Sequence, residues 1–220
     1  RGSAAARKAA ALLESDGTLA AAYPVLRQVL PAERRRALLA ERVRRAAAGE
    51  PDPYVGLLAV AGAGDGRDLG AQVAFAELRT YTHDLLLRDT DQMSMAHGLE
   101  VRVPLLDHVV VEYAMGVPGT AWSPGRAPKA LLAEALSGLL PAEVLRRPKQ
   151  GFALPFDPWM RGPLRRFCEE RLARLGERGL LQAGALQELW EDFLARRGGA
   201  TWSRVWLLVV LDEWLERNGF

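Results

Sequence analysis

The chain has 220 residues, 49% of them hydrophobic and 25% charged, an ordinary globular balance that can bury a core. Its formal net charge of +2 does not by itself imply a nucleic-acid or anionic-membrane partner. The single cysteine, Cys168, excludes an internal disulfide, and no run reaches the roughly 18 apolar residues of a membrane span, so the expected compartment is a reducing, cytoplasmic one.

Nearly every segment has the spacing of a helix. Ser3 is placed to cap a helix through Glu14, which Gly17 stops. Pro24 and Pro31 suit the first turns of two more helices. The second of these runs from Ala32 to Ala48 and ends before Gly49. Pro51-Asp52-Pro53 opens a short segment. Residues 57–62, LLAVAG, are too few and too rich in alanine to set as a strand. Residues 61–70, AGAGDGRDLG, form a glycine-rich loop that divides N-terminal helices (1–60) from a helical region at 71–220. Gln72 to Tyr81 and Leu85 to Ala96 read as two helices with a break near Thr82-His83-Asp84. Gly98 ends the second, and the stretch from Glu100 to Leu106 has no regular pattern. Asp107 is placed to cap a helix running through Tyr113 to Met115. Pro128 can start the helix that carries Lys129. Pro141, Pro163 and the Thr201/Ser203 pair open later helices. Trp190 and Phe193 mark one apolar face, and Trp202, Trp206 and Trp214 mark another, as core helices do. The fold class expected is all-α.

Tested one at a time, most chemical motifs fail. His83, His97 and His108 lie 14 and 11 residues apart and no second cysteine exists, whereas metal sites favour closely spaced ligand pairs. No metal site is expected. AGAGDG at 61–66 lacks the Gly-Lys-Ser/Thr ending of a phosphate loop. Arg34, Arg35, Arg36, Arg42, Arg44 and Arg45 make one helix basic. Glu33 and Glu41 lie within helical reach of Arg36 and Arg45, so a solvated face with intrahelical partners is favoured over a nucleic-acid surface. Cys168 reads as a small apolar residue on a helix. The acids Asp89, Asp91, Glu100 and Asp107 admit either acid–base chemistry or ion pairing, with Arg102 between Glu100 and Asp107 as the obvious partner. Lys8, Lys129 and Lys149 are the only lysines among 29 basic residues. Against that arginine bias, Lys129 and Lys149 stand out as positions where a compact ammonium is wanted.

Five segments occur in a telling order: YTHD (81–84), DQMSMA (91–96), LEVRVPLLD (99–107), GRAPKALL (125–132) and LPAEVLRRPKQGF (140–152). Together they resemble the synthetase domain of glutamine-dependent asparagine synthetases. The resemblance implies the C-terminal, multi-helix portion of an adenylating, ATP-pyrophosphatase-type domain. In such enzymes the aspartate side chain becomes an acyl-adenylate, and ammonia released from glutamine in a separate domain displaces AMP. Lys149 matches the family lysine that neutralises departing pyrophosphate. Lys129 matches a second lysine segment suited to anion binding, and Glu100 matches a glutamate that helps to position or deprotonate the incoming amine. The implied cofactor is ATP with Mg²⁺ in the full enzyme, with none held tightly by this chain. The implied partners are the missing N-terminal part of the synthetase, the glutaminase domain and small-molecule substrates, with no membrane or nucleic acid.

The chain also departs from the family. The Ser-Gly-Gly-x-Asp-Ser pyrophosphate loop and the Gly-Glu-Gly-x-Asp-Glu segment are absent, as is an N-terminal catalytic cysteine. Gln92 stands where the family has Arg, and Thr82-His83 where it has Leu-Pro. The chain alone is therefore expected to be inactive. A related amide-forming synthetase of the β-lactam or macrolactam type, a non-catalytic helical interaction domain and a homologue that has lost its chemistry remain open.

Overall fold

The computed structural model describes residues 4–50, 68–118, 129–148, 151 and 154–220, together with Tyr54, Gly56 and Leu58. The fold is all-α, with no strand among the described residues. In chain order the α-helices are α1 (Ala4–Leu13), α2 (Leu19–Arg27), α3 (Ala32–Leu38), α4 (Glu41–Ala46), α5 (Leu69–Glu77), α6 (Arg88–Met95), α7 (His108–Gly116), α8 (Ala130–Ala135), α9 (Ala142–Arg146), α10 (Phe156–Arg161), α11 (Arg165–Glu177), α12 (Ala183–Leu194) and α13 (Trp202–Arg217). A π-helical segment, Leu78–Leu87, joins α5 to α6, and a 3₁₀ turn, Pro104–Leu106, precedes α7. The chain divides into two compact units. Arg1–Asp52 with Ala153–Phe220 form one, and Pro53–Phe152 form the other. The glycine-rich boundary expected at 61–70 lies, up to residue 67, outside the described residues.

The first unit is built on α11, α12 and α13. Cys168, Leu172 and Leu175 of α11 meet Leu186, Leu189, Trp190 and Phe193 of α12 and Val205, Leu208, Val209 and Leu215 of α13 in one buried cluster. Their spacings of three, four and seven are those of a helix stripe. Leu38 of α3 and Met160 of α10 join that cluster. Among the described residues its one fully buried charge is Asp212 of α13. Arg178 Nε donates to Asp212 Oδ1 at 2.8 Å and Arg171 Nη1 to Oδ2 at 3.3 Å, so both carboxylate oxygens are satisfied, as burial demands. Arg171 also bonds Glu216, and Arg174 holds Glu216 at 2.9 Å.

Several sequence expectations needed tertiary contacts to be right, and were not. Residues 32–48 are not one helix. Leu39 leaves the helix at φ −70°, ψ 135°, and the chain pairs instead with the turn between α11 and α12. Ala40 N donates to the Leu180 carbonyl at 3.0 Å and Gln182 N to the Leu38 carbonyl at 2.8 Å. Pro24 lies inside α2 rather than in its first turn, because Thr18 starts that helix earlier by accepting from Ala21 N at 3.3 Å. No break occurs at 82–84; the backbone stays helical and shifts to π register. The face of α13 carrying Trp202, Trp206 and Trp214 is not its buried stripe. Trp202 and Trp214 are 38% and 53% exposed. Phe156 stacks on Trp202 with centroids 4.9 Å apart, and Phe220 on Trp214 at 5.6 Å. Trp190 and Phe193 are buried as expected. Ser3, Pro51-Asp52-Pro53 and Pro128 fall outside the described residues.

Removing the Asp212 carboxylate takes from Arg178 its carboxylate partner and from Arg171 one of several. Asp212→Ala should cost about 3 kcal/mol of unfolding free energy, measured by urea denaturation; a loss below about 1 kcal/mol would show the network to be dispensable. Hydrogen bonds from Arg161 and Arg171 hold the Asp157 and Glu216 carboxyls below their ordinary values. A carboxyl depressed in the folded state stabilises fully above its unfolded value, near 4, and loses that contribution as pH falls through the folded value. Thermal unfolding followed by circular dichroism should therefore be insensitive to these two groups from pH 7 to about 5 and should show their loss only below about 4.

Candidate functional site

The second unit carries the segment that the sequence singles out, and both of its ends are pinned. At the first end α6 closes in a Schellman arrangement. Gly98 takes φ +68°, its N–H donates to the Met95 carbonyl at 3.0 Å, and Leu99 N donates to the Ser94 carbonyl at 3.0 Å. A left-handed residue with these two bonds needs glycine and satisfies the last helix carbonyls. At the other end Asp107 caps α7 by accepting from Val109 N at 2.9 Å. The 3₁₀ turn closes with Leu106 N on the Val103 carbonyl at 2.8 Å.

Between these anchors, Glu100 and Arg102 project together. Arg102 Nε donates to Glu100 Oε1 at 2.9 Å, with side chains 71% and 84% exposed. A pair this wet contributes little to stability. Leu99, Val101, Val103 and Leu105 alternate with these charges and are also exposed. Asp107, the other carboxylate considered for Arg102, is used as the α7 cap. Asp89 and Asp91 sit in the first turn of α6.

Lys129 is exposed and immediately precedes α8. It occupies φ +60°, ψ 27°, a left-handed conformation that is costly for a residue with a Cβ. Its carbonyl accepts from Ala133 N at 2.9 Å. Lys129 is thus the residue before the helix rather than its first turn. Among the described residues no ion pair joins it to Glu100. Lys149 lies outside the described residues. Among the described residues no three His, Cys, Asp or Glu side chains are grouped to hold a metal ion.

Two groups settle differently. Arg42 donates to the carbonyls of Gly179 and Arg178 at 3.1 and 3.2 Å, and Arg44 and Arg45 pair with Glu41. Half of the basic residues between Arg34 and Arg45 are therefore bonded within the chain. His83, set aside as a metal ligand by its spacing, has its Nδ1 2.7 Å from Asp84 Oδ1 and lies on the π-helical segment beside a cavity. The adjacency of His and Asp was its visible signal; the π register was not visible.

With that geometry established, comparison with known proteins is decisive at family level. The sequence model described as Asparagine synthase matches residues 4–216. The chain belongs to the asparagine synthase family. It is 26% identical over 147 residues to asparagine synthetase [glutamine-hydrolyzing] 1 of Bacillus subtilis, covering 67% of this chain and 23% of that protein. It is 30% identical over 151 residues to a putative asparagine synthetase [glutamine-hydrolyzing] of Mycobacterium bovis, covering 68% of this chain and 23% of that one. A 76-residue stretch is 41% identical to the enzyme of Gallus gallus, covering 33% of this chain and 13% of that protein. The chain thus spans about a quarter of the length of the first two relatives. No solved structure matches it. No described helix is long and apolar enough to cross a membrane.

This family member's cysteine is not poised as a nucleophile. Cys168 is fully buried in the α11 core, and burial, with the nearby Glu169 charge, pushes its thiol up to about 11. Reactivity needs an accessible thiolate. The native chain should therefore release no colour with a disulfide reagent at pH 7.5, and one equivalent after unfolding in guanidinium; fast native reaction would contradict the burial.

Proposed function

We propose that this chain is part of an ATP-dependent amide ligase that makes asparagine from aspartate, with ammonia drawn from glutamine. The observation that carries the proposal is the segment Leu99 to Asp107. It bears the family's Leu-Glu-x-Arg-x-Pro motif, is clamped by the Gly98 and Asp107 caps, and offers Glu100 and Arg102 to solvent as a bonded pair. Relatives in bacteria and a bird carry the name of that enzyme.

The residues present fit part of what ATP–Mg²⁺ requires. Lys129 offers an exposed ammonium suited to a phosphate. Among the described residues no three His, Cys, Asp or Glu side chains are grouped to hold the metal, and Ser-Gly-Gly-x-Asp-Ser does not occur in the sequence. The nucleotide-gripping loop and the metal ligands are therefore assigned to the remainder of the enzyme, with the glutaminase domain. The exposed Leu99, Val101, Val103 and Leu105 are apolar surface of the kind that such a neighbour covers.

The chemistry that the nucleotide supplies is activation of a carboxylate by adenylation. Lys149 and Lys129 hold negative charge on the phosphates. Glu100, kept in place by Arg102, positions or deprotonates the amine that attacks. Lys149→Ala, made in the enzyme assembled with its nucleotide-binding and glutaminase parts, should lower kcat for amide formation by about 10²-fold or more while leaving the thermal midpoint unchanged. Near-normal turnover would remove the assignment. Cyclisation of a β-amino acid or a peptide by the same assembly, with aspartate left untouched, would move the chain to the lactam-forming relatives.

A further inference from the structure

A cavity of about 390 Å³ opens between the π-helical segment and α7, large enough for a small metabolite. Its floor is apolar, with Leu78, Leu87, Leu106, Val111 and Met115. Its rim is charged with opposite signs on two elements. Arg79, with Thr82 and His83, comes from the π-helical segment, and Glu112 comes from α7.

The π register makes this wall. Leu78 and Leu87 are nine residues apart, about two and a half turns of an α-helix, which would put them on opposite sides. Bonding to the fifth residue along lengthens each turn, so positions four and five apart, Leu78, Thr82 and Leu87, line up on one face. In the first turn of the segment Thr80 Oγ1 donates to the Ala76 carbonyl at 2.7 Å. Short π-helical insertions are concentrated at functional sites because they re-aim side chains in this way. Here the re-aimed side chains all reach one cavity.

Among the described residues neither Arg79 nor Glu112 is held in an ion pair. His83 has Nδ1 on Asp84; with the ring N–H donated there, Nε2 is an acceptor and no partner for an anion. A simple anion would satisfy Arg79 but would leave the apolar floor wet and face Glu112. A purely apolar guest would cover the floor and leave both charges unanswered. A molecule with a carboxylate, an ammonium and an apolar body meets all three. A second cavity of about 250 Å³ shares Leu78, Leu106, Val111 and Met115 and adds Ala71 and Ala74, which gives the apolar body room to extend.

We propose that this cavity is a binding site for a free α-amino acid with an aliphatic side chain, its carboxylate on Arg79 and its ammonium on Glu112. The site uses none of the residues given a part in amide formation, and it stands whether or not the chain serves a ligase.

Calorimetric titration of the 220-residue chain with L-leucine, 4-methylpentanoate and 3-methylbutylamine tests it directly. The second probe lacks the ammonium and the third lacks the carboxylate. Leucine should bind about tenfold more tightly than either, the scale expected for losing a hydrogen bond to a charged group. Arg79→Met should abolish the advantage over 3-methylbutylamine and spare that over 4-methylpentanoate; Glu112→Gln should do the reverse. Equal affinity for the three probes, no saturable leucine binding, or ratios unchanged in both variants would overturn the proposal. Should a variant fail to fold, the three probes on the unaltered chain decide alone.

Discussion

The backbone ends of short helices govern how this protein is put together. Each helix leaves free N–H groups at its start and free carbonyls at its end, and the longest described helix, α13, has only 16 residues. Much of the chain therefore lies within a turn of a helix end. Asp68, Asp107 and Thr18 answer the amides. Basic side chains answer the carbonyls. Arg161 reaches Leu194 at the end of α12, Arg42 reaches Arg178 and Gly179 after α11, Arg204 reaches Val29 and Gly199, and Lys8 reaches Leu26 in α2. A cation at a helix C-terminus also meets the negative end of the dipole. Such contacts give part of the chain's many arginines a partner within the chain.

The same constraint shapes the candidate site. The Leu99 to Asp107 segment has few backbone bonds of its own, yet it begins at a closed helix end and finishes at a capped helix start. A charged pair can sit on such a segment, largely hydrated, and still hold a defined position. Catalytic and binding groups on loops need a rigid frame of this kind. The first unit, by contrast, buries Asp212. Asp212 and its two arginines are a structural device, and the pair Glu100–Arg102 is a presented one.

What could be read from the sequence was local. Gly98 as a stop, Asp107 as a cap, the buried Trp190 and Phe193 and the inert Cys168 all follow from one residue and its neighbours. What could not be read depended on partners far along the chain. The helix expected over 32–48 breaks because Leu39 gives its carbonyl to the Gln182 side chain, 143 residues away. The tryptophans of α13 had a convincing period, but Phe156 from α10 covers part of that face while a different stripe enters the core. The π register over 78–87 uses residues that would serve an α-helix equally well, so nothing in their order announces it. Of the proposed site residues, Glu100 was singled out by its motif and Lys129 by its rarity, while Arg79 and Glu112 stood out only when two helices lay side by side.

Lys129 sets the interests of backbone and side chain against each other. A glycine would occupy its left-handed conformation with less strain. Selection for thermal robustness alone would tend to erase the lysine, and selection for an ammonium would keep it. Variants at this single codon would thus sort by which pressure prevails, and drift toward glycine in a lineage would mark release from chemical duty before any other change in the helix it precedes.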